Sequence, residues 1–421
     1  GYQSGYSIST ADSSVGVGYN SLRALLSGGS NTAIGNQAGY SLTTPVENTA
    51  VGQAALFYNE TGNYNVAIGR ASMFGVSGNS HENNTAVGHK SLFGITTADE
   101  NTALGYASSL NITAGSDNTS VGSTSLYRNQ IGEDNVAVGY RAGYNVSASN
   151  NTFVGCNAGF GLNTSPYSSG TSNTTVGYNT LAVFTTGATN VAIGSNSLES
   201  ITTGYANVGI GYYAGSDLTT GLRNVIIGEN AGLYETNSYN TYIGYEAGRG
   251  SSSGNASNAY NVAIGYQALK SVRSGLQNVA VGQGAGTSMD EGDYNVLLGT
   301  SAGTAITDGG SNVALGYLAG AGITTGGGIV AIGVNAVYNS TANQTIGIGN
   351  QALYSNTSGD SNIGIGYYAG RYNETGGGNV YIGYEAGEGV SGNSNTRNVG
   401  IGFNALEGIT TGADNTAIGQ K

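Results

Sequence analysis

The five residues Asn65-Val66-Ala67-Ile68-Gly69 recur along the chain, and the last copy is Asn415-Thr416-Ala417-Ile418-Gly419. The 421-residue sequence contains 24 copies of this phrase, most of them 17 residues apart. A fixed period of this kind is typical of solenoids and repeat arrays. We therefore expect an all-β fold, a parallel β-solenoid of about 24 coils, with residues 1–421 as a single elongated domain.

The phrase itself predicts a short strand. With its Asn as position 1 of a 17-residue repeat, position 4 is Ile, Val or Leu in every copy and position 2 is Val, Thr or Ile. β-branched residues two apart are typical of a strand that shows one face to a core. We expect position 4 to point into that core, so that replacing Ile227 by aspartate would cost several kcal/mol.

The remaining positions of the repeat indicate turns and a second strand on the opposite side of the coil. Position 5 is always Gly, which suits a backbone with positive φ or a close approach of another backbone. Position 8 is always Ala, Ser or Thr, which suits a narrow interior, and we expect a second strand over positions 6 to 10. Extra residues should project as long turns, and deleting Ser251-Ser252-Ser253-Gly254 should leave the fold intact. These long turns follow Gly69, Gly155, Gly244 and Gly383.

Asparagine occupies position 1 in 21 of the 24 copies. Stacked coils would place these side chains above one another at about 4.8 Å, as a ladder that fixes the register. The ladder includes Asn31, Asn48, Asn65, Asn190, Asn261 and Asn415.

The phrases Asn261-Val262-Ala263-Ile264-Gly265 and Asn190-Val191-Ala192-Ile193-Gly194 resemble the head repeat of trimeric autotransporter adhesins. They are also similar to the Asn-Thr-Ala-Val-Gly arrays of phage tail-fibre-like proteins. The resemblance extends from Ser14 to Gly419. It implies a left-handed parallel β-roll, assembled as a trimer and used for surface attachment.

Composition argues against several functions. Twelve basic and 24 acidic residues give a net charge of −12, which opposes binding to nucleic acid. No apolar run reaches the length of a membrane span, and the lone Cys156 excludes an internal disulfide. His81, in a long turn, and His89 are the only imidazoles, and we interpret both as surface residues. We expect no enzyme and no cofactor.

Two groups of side chains leave binding functions open. Carboxylates precede the Asn column at Glu47, Glu100, Asp117, Asp134 and Asp414, where calcium is the alternative to solvated turns. Tyrosines at position 6 could pack on each other, on neighbouring chains or on sugars. They include Tyr106, Tyr140, Tyr178, Tyr212, Tyr245 and Tyr266. Candidate glycosylation sites are Asn59, Asn111, Asn145, Asn163, Asn339 and Asn373.

These features favour a structural component of an extracellular or surface-exposed fibre or filament, on a cell or a virion, with an adhesive role as a variant. The alternatives are a glycan-binding or ice-binding solenoid module and a phage tail-fibre shaft. We expect a homo-oligomer or filament, with cell-surface glycans as further partners. Because the sequence starts and stops inside repeats, we also expect a segment of a longer fibre or a protomer whose ends stack on other chains.

Overall fold

The computed structural model describes residues 1–252 and 258–421. It has two compact units, Gly1–Ile210 and Gly211–Lys421, and one continuous domain over residues 1–421 stays a prediction. Each unit is a parallel β-solenoid with a repeat of about 17 residues, because each phrase forms one three-residue strand that pairs in parallel with the strand of the next coil.

In the first unit, strands β1 to β12 pair in sequence order, and equivalent positions of successive coils face one another, as Ala50 faces Ala67. The strands are β1 (Val15–Val17), β2 (Thr32–Ile34), β3 (Thr49–Val51), β4 (Val66–Ile68), β5 (Thr85–Val87), β6 (Thr102–Leu104), β7 (Thr119–Val121), β8 (Val136–Val138), β9 (Thr152–Val154), β10 (Thr174–Val176), β11 (Val191–Ile193) and β12 (Val208–Ile210).

The second unit repeats this arrangement, with Ala263 facing Ala280 across its sheet. The strands are β13 (Val225–Ile227), β14 (Thr241–Ile243), β15 (Val262–Ile264), β16 (Val279–Val281), β17 (Val296–Leu298), β18 (Val313–Leu315), β19 (Val330–Ile332), β20 (Ile346–Ile348), β21 (Ile363–Ile365), β22 (Val380–Ile382), β23 (Val399–Ile401) and β24 (Thr416–Ile418).

The predicted orientation of the strands is wrong. Position 3, the small residue between the two β-branched ones, is buried, as at Ala67 and Ala263, whereas position 4 points outward. Ile227, predicted to lie in the core, is only half-buried, and Ile68 is exposed. The alternation of residues along a strand shows which side chains share a face, but it does not show which face is inside.

The interior is too narrow for a large side chain on both walls. At Gly209, Gly347 and Gly364, which occupy position 3, position 9 of the preceding coil is large: a Cβ on Gly209 would lie 2.6 Å from Cγ of Leu198. Where position 3 is large, position 9 is glycine: a Cβ on Gly248 would lie 2.4 Å from Cδ1 of the buried Tyr242. One bulky group for each layer therefore fills the core, and small residues make room for it.

The expected second strand over positions 6 to 10 does not form in the described residues, which have turns there. Positions 7 and 9 have left-handed backbone in most coils, for example φ of 56° at Gln267 and 46° at Leu269, which is incompatible with an extended strand. The coils still hydrogen-bond along this wall, since Gln267 N donates to Tyr245 O at 2.8 Å and Leu269 N donates to Ala285 O at 3.0 Å. The small residues at position 8 are buried here, as predicted, for example Ala38 and Ser91.

The glycine at position 5 has both features predicted from the sequence, a positive φ and a close approach of another backbone. Gly265 has a φ of 135°, and a Cβ at this residue would lie 2.5 Å from the carbonyl oxygen of Gly282 in the next coil. Any side chain would therefore strain the turn and push the coils apart.

Three of the four long turns expose residues to solvent, as expected of added segments: 76–78, 163–166 and 390–392. The fourth follows Gly244, and the proposed deletion of Ser251 to Gly254 lies partly outside the described residues.

The ladder asparagines make hydrogen bonds both to neighbouring coils and to the backbone of their own coil, as Asn278 shows. Nδ2 of Asn278 donates to Oδ1 of Asn261 at 3.2 Å and to the carbonyl of Gly292 in its own coil at 2.7 Å. Its Oδ1 accepts from the backbone N and from Nδ2 of Asn295, at 2.9 and 3.0 Å. Asn31, Asn48, Asn65, Asn190 and Asn261 are buried in this arrangement, whereas Asn415 is exposed.

Replacing Asn278 by alanine should lower the free energy of unfolding of the second unit by about 3 kcal/mol. The substitution leaves the Gly292 carbonyl and the backbone N–H of Asn295 buried without partners, and it removes one of the two hydrogen bonds of Asn295 Nδ2, which keeps its bond to the Gly309 carbonyl. Chemical denaturation followed by circular dichroism measures this loss. The exposed Asn339 provides a matched control, and equal stability of the Asn278→Ala and Asn339→Ala variants would contradict the role of the ladder.

Candidate interaction surface

The outer face of the sheet consists of the side chains at positions 2 and 4 of the strands. In the first unit, position 4 is exposed over more than a third of its surface at Val17, Ile34, Ile68, Leu104, Val138, Val176 and Ile193. Val, Thr or Ile at position 2 flanks these residues and is mostly half-buried. In the second unit position 4 is mostly half-buried and is exposed at Ile264 and Ile418. Each unit thus has a row of Val, Ile, Leu and Thr side chains on the outer face of its sheet, whereas isolated exposed apolar residues are ordinary on a protein surface.

The tyrosines of position 6 lie beside this band. Tyr106, Tyr140, Tyr178, Tyr212, Tyr245 and Tyr266 are between 39% and 55% exposed. Where tyrosines occupy adjacent coils their rings stack, with centroids 5.3 Å apart for Tyr245 and Tyr266 and 5.2 Å apart for Tyr367 and Tyr384. Stacked rings cover each other's faces, so a run of them presents ring edges and hydroxyl groups rather than the flat faces on which a sugar would stack.

A second aromatic column, at position 10, was not identified from the sequence. Tyr40, Phe57, Phe74 and Phe93 are half-buried and stack in order, with centroids 4.8, 5.0 and 5.1 Å apart. The signal is visible in the sequence as Phe or Tyr one residue after position 9 in successive copies. These rings pack consecutive coils together.

Three of the candidate glycosylation sites are wrong because their side chains are buried. Asn59 and Asn373 donate from Nδ2 to the carbonyls of Gly62 and Gly376, at 2.9 and 2.7 Å, and Asn145 is also fully buried. A glycan requires an accessible amide nitrogen, which these residues lack. Asn163 and Asn339 are exposed and Asn111 is half-buried, so these three remain candidates.

The two histidines occupy different environments. His81 is 2% exposed, and neither of its ring nitrogens has a hydrogen-bond partner, so its expected place at the surface is wrong. Burial lowers its pKa to about 4, which keeps the imidazole neutral at pH 7. His81 occupies the structural position that Gly62 has in the preceding coil, because the His81 carbonyl accepts from Asn65 Nδ2 as the Gly62 carbonyl accepts from Asn48 Nδ2. The extra residues of this longer coil obscure the equivalence in the sequence. His89 lies in the position 6 column, 5.6 Å from the Tyr106 ring.

The acidic residues before the ladder are the candidate calcium ligands. A hydrogen bond with Asp117, together with the negative charge of that residue, raises the pKa of Glu100. Glu47, Glu100, Asp117, Asp134 and Asp414 lie in described parts of the chain, where no group of three or more His, Cys, Asp or Glu residues could hold a metal ion. Calcium binding therefore has no structural support from these residues.

Cys156 is a half-buried free thiol in the position 6 column. No helix within residues 1–252 and 258–421 combines the length and apolarity needed to cross a membrane. No protein-family model and no curated protein sequence matches the chain. The outer face repeats Ile, Val or Leu at position 4 in all 24 copies, and it is the surface from which a function can be inferred.

Proposed function

We propose that the chain is a structural component of a multi-chain fibre or filament, in which copies of the chain bury the outer face of the sheet against one another. One observation carries this proposal: position 4 is Ile, Val or Leu in all 24 copies although it is partly exposed to solvent in each unit. A surface position of a monomer would accept polar residues. Uniform apolarity there is explained if the position forms the core of an interface between chains.

Charge and shape support self-association. Only 9% of the residues are charged, and the described strands of three residues contain none, so contact between two outer faces would bury no unpaired charge. Successive coils repeat the same surface, which allows a second copy to make the same contact many times. The resemblance of the repeat to trimeric adhesin heads supports a surface-exposed location and adds an adhesive role to the proposal.

An ice-binding module is the alternative that uses the same face, because the face is regular and β-branched. It would act as a monomer, since the face must be free to meet ice. The state of association in solution therefore separates the two functions.

The experiment is light scattering on the full chain at micromolar concentration. We expect an assembly of two or more chains, and at least tenfold weaker association when Ile68, Leu104 and Val138 are all replaced by lysine, since these side chains lie on the outer face. The control replaces Val76, Ile131 and Val183 by lysine, because these apolar residues are also exposed, at 45%, 65% and 43%, but lie outside the strands. A monomeric parent protein, or an outer-face variant that associates as well as the control, would overturn the proposal. A monomer that also inhibits ice growth would support the alternative.

A further inference from the structure

A surface depression of about 650 Å³ lies on the second unit, away from the strands of the outer face. Five coils contribute to it, and its size is within the range of small-ligand sites. Its principal side chains are Tyr234, Arg249, Lys270, Arg273, Asp290 and Asp308, and the rest of the lining consists of Gly250, Ser251, Ser252, Ser271, Ser288 and Thr307. Three of the chain's 12 basic residues therefore meet in one depression of an acidic protein.

Ion pairs fix the basic side chains in place. Lys270 Nζ lies 2.7 Å from Oε2 of the buried Glu246, and Arg249 Nη1 lies 3.2 Å from Oε1 of the same carboxylate. Burial opposes ionisation of Glu246, but its hydrogen bonds with Lys270 and Gln267 outweigh burial and lower its pKa, so the carboxylate stays charged at neutral pH. Both cations are thus held in one orientation, and little conformational entropy would be lost when a ligand binds.

Arg273 is held in the same way on the neighbouring coils. Its Nη2 atom lies 2.9 Å from Oδ2 of Asp290 and 2.6 Å from Oε1 of Glu291. A guanidinium has five N–H donors, and these contacts use one nitrogen, so further donors remain for a ligand. Arg249 also lies 5.6 Å from the centre of the Tyr234 ring, which places an aromatic surface beside the charged groups.

The basic and acidic side chains around the depression indicate which class of ligand it could bind. Arg249, Lys270 and Arg273 are offset by Glu246, Asp290, Glu291 and Asp308, so the depression as a whole does not attract a simple anion. Each arginine–carboxylate pair instead presents a donor beside an acceptor. A sugar hydroxyl is both donor and acceptor, and rows of hydroxyl groups on a pyranose ring match such pairs. We infer that this depression binds a neutral oligosaccharide.

This binding site goes beyond the structural role and does not depend on it, because the depression and the outer face share no lining residue. It would give the fibre a point of attachment to glycans in the second unit. Attachment would not use the tyrosine column.

The test is binding of the full chain to an immobilised panel of neutral hexose and N-acetylhexosamine oligomers, with sialylated and sulfated oligosaccharides as the acidic arm. We expect binding to at least one neutral oligomer. Arg273→Gln and Ser288→Tyr should each weaken it at least tenfold, the first by removing donors and the second by filling the depression from an exposed position.

Arg397→Gln is the control, because Arg397 also pairs with an aspartate of the next coil, Asp414, at 2.7 and 2.9 Å, but does not line the depression. This variant should bind as the parent does, and thermal melting should show that all three variants are folded. Failure to bind any neutral oligomer, binding confined to the acidic arm, or binding that Arg273→Gln and Ser288→Tyr leave unchanged would each overturn the inference. Because the readout is glycan binding and not association, it is independent of the test of the fibre.

Discussion

Replacing Ala263 by aspartate should unfold the second unit, whereas replacing the adjacent Ile264 by aspartate should leave it folded. Ala263 is 0% exposed in β15, between the walls of the coil, so the variant must bury a charge in a space that accommodates only a methyl group. An unpaired buried carboxylate together with the steric conflict should cost several kcal/mol, a large part of the stability of a domain. Ile264 is 37% exposed, so its replacement can place the new carboxylate in water.

Thermal melting by circular dichroism, at a protein concentration where the parent is a single chain, measures the difference. The two variants carry the same substitution at adjacent residues of one strand, and they differ in whether the side chain points into the core or to the outer face. If Ile264→Asp unfolds the unit and Ala263→Asp does not, the assignment of inner and outer faces is reversed. In the assembled protein, Ile264→Asp should weaken association, because it places a charge in the proposed interface.

Glu235 should make the second unit less stable as the pH rises from 4.5 through 7. It is a fully buried carboxyl group in an interior column where other coils have Leu or Ile, as at Leu218. Its Oε1 accepts hydrogen bonds from the backbone N of Thr236 and Asn237 at 2.8 and 2.6 Å, whereas Oε2 has no partner. Burial raises its pKa to about 7, although the hydrogen bonds from Asn237 and Thr236 lower it.

The sign follows from linkage. The folded chain keeps the proton up to about pH 7, while the unfolded chain releases it near the ordinary value of 4.5. Stability is therefore greatest below pH 4.5 and falls, by about 3 kcal/mol in total, as the pH passes 7. Glu235→Gln should remove this dependence and raise the melting temperature at pH 8, but leave it nearly unchanged at pH 4.

Denaturation curves for the second unit between pH 4 and pH 8 check this expectation. Glu229→Gln is the control, because Glu229 is an exposed residue of the same coil. A parent protein whose stability does not decline between pH 4.5 and pH 8, or a Glu235→Gln variant that declines as steeply, would show that the carboxyl group is solvated in the folded chain.

Buried polar residues at position 12 explain why this part of the core was not predicted from the sequence. Position 12 is an interior column with Leu25, Leu42 and Ile95, but other coils place Asn59, Asn129 or Glu235 there. Asn59 and Asn129 are satisfied by nearby backbone, as Asn129 Nδ2 is by the Gly132 carbonyl at 3.0 Å. A hydrophobicity pattern therefore does not identify position 12 as part of the core. Without that information, Asn59 and Asn373 were interpreted as possible glycosylation sites on exposed turns.

The sequence by itself determined the period, the parallel strands and their register. Those properties follow from local rules. Position 2 of each strand is β-branched, position 4 is Ile, Val or Leu, and a glycine allows the turn that ends the strand. The asparagine at position 1 in 21 of 24 copies meets its equivalent in the next coil only when the register is kept. Only the tertiary structure decided which face of the strand is inside. That choice depends on the distance between the two walls, which leaves room for one bulky side chain in each layer of the core, and no single repeat contains that distance.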